Sequence, residues 1–399
     1  MRKVPPFLLL DAWRGMAALW VVMDHSSYRF MATEGNERYF HDPLYWVSSW
    51  GQLGVVAFFV ISGYCIMGAA YSALAAGRGA GRYGFDRVRR IYPPYLAAFF
   101  LAIAVGFLIN FAQSHHLLPP SNHSSGTHLA GGTPQFWLTN LLLVQMELGQ
   151  TSFVMVAWSL CYEVVFYLLL GIMLIIAKAV SRNSTGARGV AVFQIGVSGL
   201  TAISLAWMLA SPATCPFPLD RWYQFGLGAL LFLVPAANPN VPAWSARIQL
   251  LLAAFFTLLL SLHPGIKDLS FRPGSQLQAA TAVVFIALLC ILRPLDARVA
   301  HHPVLRPLMW LGSFSYSLYL VHVTFIDFAE AGGRRLGFDQ DWYRVTYFLQ
   351  IGLSLLVGWC FYRLVERHFI STRQKKRVEE ELTTPVISSA EALASRNKI

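Results

Sequence analysis

Charge is scarce in this chain: Asp, Glu, Lys and Arg make up 13% of its 399 residues, against 56% that are hydrophobic. Soluble globular domains carry roughly a quarter charged residues, so an ordinary water-facing surface is excluded. Cysteine is equally sparse. Of the five, Cys65, Cys161, Cys290 and Cys360 fall in apolar segments and only Cys215 lies in a loop, so neither a disulfide framework nor a metal-ligand spacing can be built. Thiols in apolar runs stay protonated, which argues against Cys65 and Cys161 as nucleophiles. Acidic residues are also too few to balance the basic ones, leaving a net charge of +11. Because the Lys and Arg sit mostly in short loops and the tail, that excess reads as the orientation signal of a membrane protein, and no nucleic-acid partner is expected. The opening MRKVPPFLLLDAWRG puts basic residues before an apolar run, but Asp11 and Arg14 interrupt it, so the first helix is expected to be retained.

What the chain has in abundance is apolar runs of helix length. They predict an all-α polytopic transmembrane helix bundle of about ten spans: 7–30, 52–76, 95–114, 156–178, 189–209, 222–236, 247–263, 277–293, 310–330 and 343–367. The segment 135–149, PQFWLTNLLLVQMEL, is short and ends near Glu147, so it is expected to be interfacial or re-entrant. With ten spans and the N-terminus inside, fourteen basic residues lie in cytoplasmic connections and eight outside, which places both termini in the cytoplasm. Residues 1–369 then form the bundle. Residues 370–399, charged and then polar, are too poor in large apolar groups for a core and are expected to be a mostly disordered cytoplasmic tail.

The least ordinary stretch is residues 7–30, an apolar segment carrying Asp11, Arg14, Asp24 and His25. At ~3.6 residues per turn and ~1.5 Å rise, the step from Arg14 to His25 is about three turns, which leaves both on one face roughly 16 Å apart. Ionisable groups at such depths are costly and usually face a bundle interior or wet cavity. Snorkelling of Arg14 and capping by His25 is the structural alternative.

Two further blocks carry polar groups into the membrane. Five arginines between positions 78 and 90 follow a Gly-rich turn; Arg87 and Arg90 share a helical face, and Pro93 and Pro94 are expected to open the next span. An orientation signal would explain them, and so would a phosphate site, because guanidinium forks bind phosphate bidentately. In VAWSLCYEVVFYLLL, Ser159, Glu163, Phe166 and Tyr167 recur at helical spacing, so Glu163 lies on a polar and aromatic stripe inside the membrane and implies a cationic or imidazole partner from another helix; a Glu that reaches the outer interface or bonds a neighbouring Tyr is the structural alternative. Ser315, Tyr316, Ser317, Tyr319 and His322 form a similar stripe in the ninth span that interhelical hydrogen bonding alone could explain.

Taken together, Leu10-Asp11-Ala12-Trp13-Arg14-Gly15 with His25, Phe58-Phe59-Val60-Ile61-Ser62-Gly63, Arg87-x-x-Arg90 before Tyr92-Pro93, Trp158-Ser159-Leu160-x-x-Glu163-x-x-Phe166-Tyr167, and Ser315-Tyr316-Ser317-Leu318-Tyr319-Leu320-Val321-His322 resemble the acyltransferase-3 family of integral-membrane O-acyltransferases. The resemblance spans about residues 7–369, with Trp13 in place of an aliphatic residue and Tyr64 in place of Phe. It implies transfer of an acyl group, usually acetyl, from cytoplasmic acyl-CoA to a hydroxyl of a carbohydrate or glycosylated acceptor, with no bound cofactor or metal. It also matches Arg14 and His25 to the family's spaced arginine and histidine, and Arg87 and Arg90 to its arginine pair. The 32 residues after Arg367 are too few for the soluble domain that many family members add, so the bundle is expected to handle the acceptor itself.

Residue chemistry agrees. Neutral histidine suits removal of a hydroxyl proton near neutral pH, which makes His25 the expected base. Arg14, Arg87 and Arg90 are expected to hold acyl-CoA. Glu163 is the expected orienting carboxylate for His25, by the logic of a base held by a carboxylate. Asp24, about 100° round the helix from its neighbour, is the weaker candidate for that role. A transporter or flippase of a polar or glycosylated lipid would also place buried Arg, His and Glu along a path, but residues 201–399 hold no counterpart of the Arg14–His25 block or the arginine pair. The loop histidines His115, His116, His123 and His128 fix no metal geometry.

Overall fold

In the computed structural model, the described residues are 3–31, 42–118, 132–181, 187–236, 242–263, 275–300, 302–338 and 342–370. Among them there is no strand. The helices run α1 (Leu9–Met31), α2 (Pro43–Ser49), α3 (Gly54–Ala75), α4 (Ala80–Ser114), α5 (Pro134–Leu142), α6 (Trp158–Val180) and α7 (Ala187–Ala210). They continue as α8 (Leu219–Leu233), α9 (Ala243–Ser261), α10 (Ser275–Leu292), α11 (Asp296–Val299), α12 (Arg306–Ser313), α13 (Ser315–Arg335) and α14 (Tyr343–Leu364).

Each of the ten segments predicted as spans is helical over most of its length. By length and apolarity, seven helices can cross a membrane, or eight if the bent pair α12–α13 counts as one. The two segments outside that count differ for physical reasons. α1 is 23 residues long but interrupted by Asp11, Arg14 and Asp24. α8 has 15 residues, about 22 Å at ~1.5 Å per residue against a ~30 Å hydrocarbon core. Every residue of α8 from Trp222 to Leu233 is buried, as befits a helix packed on all sides. Outward-facing apolar side chains such as Ile195, Leu251, Val284 and Leu356 cover the periphery, which suits lipid rather than water.

Close helix crossings hold the site-bearing elements. A Cβ on Gly15 would lie 2.0 Å from the Leu308 carbonyl oxygen, and one on Gly312 would lie 1.9 Å from that of Asp11, so α1 and α12 touch backbone to backbone beside Arg14. Gly63 and Gly228 perform the same service between α3 and α8. The N-terminus of α1 is fixed by Asp296, whose carboxylate accepts from the Leu8 and Leu9 amides at 2.9 and 2.8 Å.

Two local expectations need correction. Pro93 and Pro94 do not open a helix; they lie inside the 35-residue α4. The Tyr316 hydroxyl donates to the Ile91 carbonyl at 3.0 Å, which ties α4 to α13 close to the prolines. At ~1.5 Å per residue α4 is about 52 Å long, so its arginine-bearing end extends past a ~30 Å core. The predicted span 310–330 is broken at Phe314 with a 69° bend. There Gly312 is wedged against α1, and the Ser315 hydroxyl caps the break by donating to the Gly312 carbonyl at 3.0 Å.

α5, nine residues long, is too short to cross. The chain turns back after it, because Asn140 donates to the Thr151 carbonyl at 3.0 Å and accepts from the Phe153 amide at 2.8 Å. The predicted tail over 370–399 lies outside the described residues apart from Ile370, which is buried in a cluster with Ala18, Val22 and Leu318. His123 and His128 also lie outside them. Among the described residues no His, Cys, Asp or Glu group has metal-site geometry.

Candidate active site

The five arginines of the 78–90 block divide by position. Arg78 and Arg82 pair with Asp86 at 3.8 and 3.2 Å, and Arg89 donates to the His368 carbonyl at 3.2 Å; all three are exposed. Arg87 and Arg90 are half-buried on the face turned toward α6 and α13. The Arg87 guanidinium sits 5.8 Å from the centre of the Tyr167 ring, with its Nε buried and unpartnered. Arg90 lies within electrostatic reach of Tyr167, Tyr316 and Glu366.

Arg14 faces the same region from α1. Its Nη1 donates to Asp11 at 3.0 Å and its Nη2 contacts the Cys65 sulfur at 3.0 Å. Glu163 and Glu366 are also its electrostatic neighbours. The structure thus gathers Arg14, Arg87, Arg90, Glu163 and Glu366 at one end of the site, interleaved with the Tyr167 and Tyr316 hydroxyls. Glu366 was not singled out by sequence reasoning. It is buried, accepting from the Ser317 amide at 3.1 Å and the Ser317 hydroxyl at 2.5 Å. Its only sequence signal is a carboxylate at the end of an apolar span amid the basic residues Arg363 and Arg367.

His25 lies about three turns further along α1. Its Nδ1 is 3.0 Å from Nε2 of His322, and His322 Nδ1 lies 3.0 and 2.9 Å from the carbonyl oxygens of Leu318 and Tyr319. Carbonyls only accept, so His322 Nδ1 carries a hydrogen, and in the neutral ring its Nε2 accepts. His25 Nδ1 must then donate to it, which leaves the lone pair of neutral His25 on Nε2. The turn that presents His322 is itself held by Tyr319, whose hydroxyl is 2.8 Å from that of Ser159 on α6.

This geometry changes the expected orienting contact. The hydrogen-bond partner of Glu163 is Tyr167, whose hydroxyl donates to it at 2.8 Å, so the structure bonds the carboxylate to the arginine-side cluster and gives the contact with His25 to His322. The reason is helical phase, since Glu163 and Tyr167 are one turn apart on α6 and satisfy each other. Asp24, the second carboxylate considered, packs against Gly51 and lies near Tyr45 and Tyr347. Tyr64, whose place the family pattern gives to Phe, uses its hydroxyl to accept from Arg293 at 2.5 Å.

An apolar helical bundle that buries an imidazole pair and, about three turns away along α1, a guanidinium cluster has parts suited to group transfer. Over residues 7–363 the chain matches the family described as an acyltransferase domain, and it belongs to that family. A protein of Bacillus subtilis (strain 168) named "Putative peptidoglycan O-acetyltransferase YrhL" is 23% identical over 413 residues, covering 95% of this chain. The chain spans 58% of that relative's length. No solved structure matches it.

Proposed function

We propose that the protein moves an acyl group, acetyl being the expected case, from cytoplasmic acyl-CoA to a hydroxyl of a carbohydrate or glycosylated acceptor. The observation that carries this reading is the His25–His322 pair, which sets the His25 lone pair on Nε2 along the helix that also bears Arg14. Arg87 and Arg90 hold the phosphates of the donor, and Arg14 steadies its arm. As the acceptor oxygen attacks the thioester carbon, its proton passes to His25 Nε2. The carbon–sulfur bond then breaks, and the thiolate takes the proton back from His25 and leaves as CoA. Glu163 and Glu366 balance the guanidinium charge, while Asp24 acts through the position of α1. The relative's name, which mentions peptidoglycan O-acetylation, favours a polysaccharide acceptor.

Membranes incubated with radiolabelled acetyl-CoA test this. Wild type labels a carbohydrate fraction, and His25→Ala, inserted and folded at normal levels, loses label by ~10²- to 10⁴-fold, the range general-base catalysis supplies. Substantial labelling by that variant removes His25 from the base role.

The topology that accompanies this reading has ten spans in a plasma or inner membrane, with α1 and α8 completing the count and both termini cytoplasmic. A cysteine introduced at Arg188 should resist labelling from outside the cell; external labelling would overturn that orientation.

A further inference from the structure

Beyond the histidine pair, on the side away from the arginines, α1 and α14 carry polar side chains that the chemistry above does not use. Ser26 Oγ, Ser354 Oγ and both polar atoms of the Gln350 amide are fully buried and have no hydrogen-bond partner. Leaving a side-chain amide and two hydroxyls unsatisfied in the interior of a membrane bundle is costly, and such groups are retained where they serve a ligand.

Their placement follows from how α13 and α14 pair. A Cβ on Gly358 would lie 2.9 Å from Leu318 Cα, and one on Gly333 would lie 3.7 Å from Thr346 Cγ2. That antiparallel register sets Ser354 level with Val323, one residue from His322, and Gln350 within about a residue of the level of the buried Asp327. Gln350 and Ser354 also belong to the four-residue stripe Thr346, Gln350, Ser354 and Gly358, whose ends touch α13. On α1, Ser26 continues the stripe of Ala18 and Val22, which packs in one cluster with Leu318 of α13 and Ile351 and Leu355 of α14. From the charged cluster, α1 and α13 therefore run forward, and the antiparallel α14 runs back, through the level of the histidine pair to these groups.

We infer that Ser26, Gln350 and Ser354 form the acceptor subsite, holding the ring hydroxyls of a carbohydrate so that one hydroxyl is presented to His25 Nε2. This inference rests on the proposed acyl transfer. The chemistry matches a neutral polyol: the amide offers two donors and one acceptor oxygen, and each serine hydroxyl gives and accepts. No formal charge is needed, in contrast to the guanidinium end, where the ligand carries phosphates.

The test uses the full chain in lipid nanodiscs with radiolabelled acetyl-CoA and peptidoglycan glycan strands as the acceptor probe. Gln350→Met preserves side-chain size and removes every polar contact. It should raise the apparent KM for glycan strands by about tenfold or more, and Ser354→Ala by a few fold, with the KM for acetyl-CoA unchanged. Equal shifts in both constants, or an unchanged acceptor KM in both variants, overturn the subsite and make these groups a purely structural network. If Gln350→Met fails to fold, Ser354→Ala and Ser26→Ala decide by the same comparison. A wild-type protein that labels neither the strands nor any membrane carbohydrate fraction overturns the underlying acyl transfer, an outcome distinct from failure of the subsite alone.

Discussion

The two ends of the path along α1 are built from different chemistry. Around Arg14 the side chains are charged: three inward arginines, Glu163 and Glu366, with Arg14 paired to Asp11 and tyrosine hydroxyls among them. At the other end Ser26, Gln350 and Ser354 are neutral, hydroxyl- and amide-bearing and unpaired, near the level of the buried carboxylate of Asp327. The difference is the one expected if the two ends meet different ligands, a polyanion and a polyol, with the histidine pair at the boundary. A phosphate-bearing donor must be drawn from water by charge, because only charge-assisted bonds offset its dehydration. A sugar needs directional hydrogen bonds and no counter-charge.

Changes at the boundary and the charged end should therefore differ in kind. The largest effect after loss of His25 is expected from Arg14→Lys, which keeps the charge but replaces the planar fork that spans Asp11 and Cys65 with a point charge. Turnover should fall by about a hundredfold, the loss of roughly 3 kcal/mol of charge-assisted bonding. Near-normal turnover in this variant would reduce Arg14 to an interface anchor and erase the distinction between the two ends.

A smaller effect is expected from His322→Ala. If His322 fixes the tautomer of His25, kcat should drop about tenfold with both Michaelis constants little changed, the loss of one hydrogen bond to the base. His322→Gln, whose amide oxygen can accept from His25 Nδ1, should recover part of that loss. A variant that lowers kcat and destabilises the protein alike, without recovery by Gln, would make the His–His contact merely structural.

The unequal legibility of these regions has a physical basis. Arg14, Arg87 and Arg90 stand out in the sequence because arginine is costly in a membrane, and the structure does bring them to one place. Helix positions were legible for the same reason that hydropathy works in lipid: the backbone must satisfy itself. Other features depend on partners that sequence spacing cannot supply. Glu163 satisfies Tyr167 one turn away, so its bond is local, whereas the contact of His25 with His322 joins helices 297 positions apart. Ser26, Gln350 and Ser354 are residue types that occur in many spanning helices as interhelical bonds, and only the absence of such bonds distinguishes them. The continuity of α4 through Pro93 and Pro94 was hidden likewise, because a proline that opens a helix and one inside it read alike in the sequence.

The most direct test of this division is to measure both Michaelis constants side by side in Arg87→Ala, Arg90→Ala and Gln350→Met. Losing a guanidinium–phosphate contact, worth roughly 1.5 to 3 kcal/mol, should raise the KM for acetyl-CoA by about ten- to a hundredfold while sparing the acceptor constant. The penalty should shrink with dephospho-CoA donors. Gln350→Met should show the reverse pattern, raising only the acceptor constant. Arginine variants with an unchanged donor constant, or a Gln350→Met variant that shifts the donor constant instead, would contradict the assignment of the charged end to the donor and the neutral end to the acceptor.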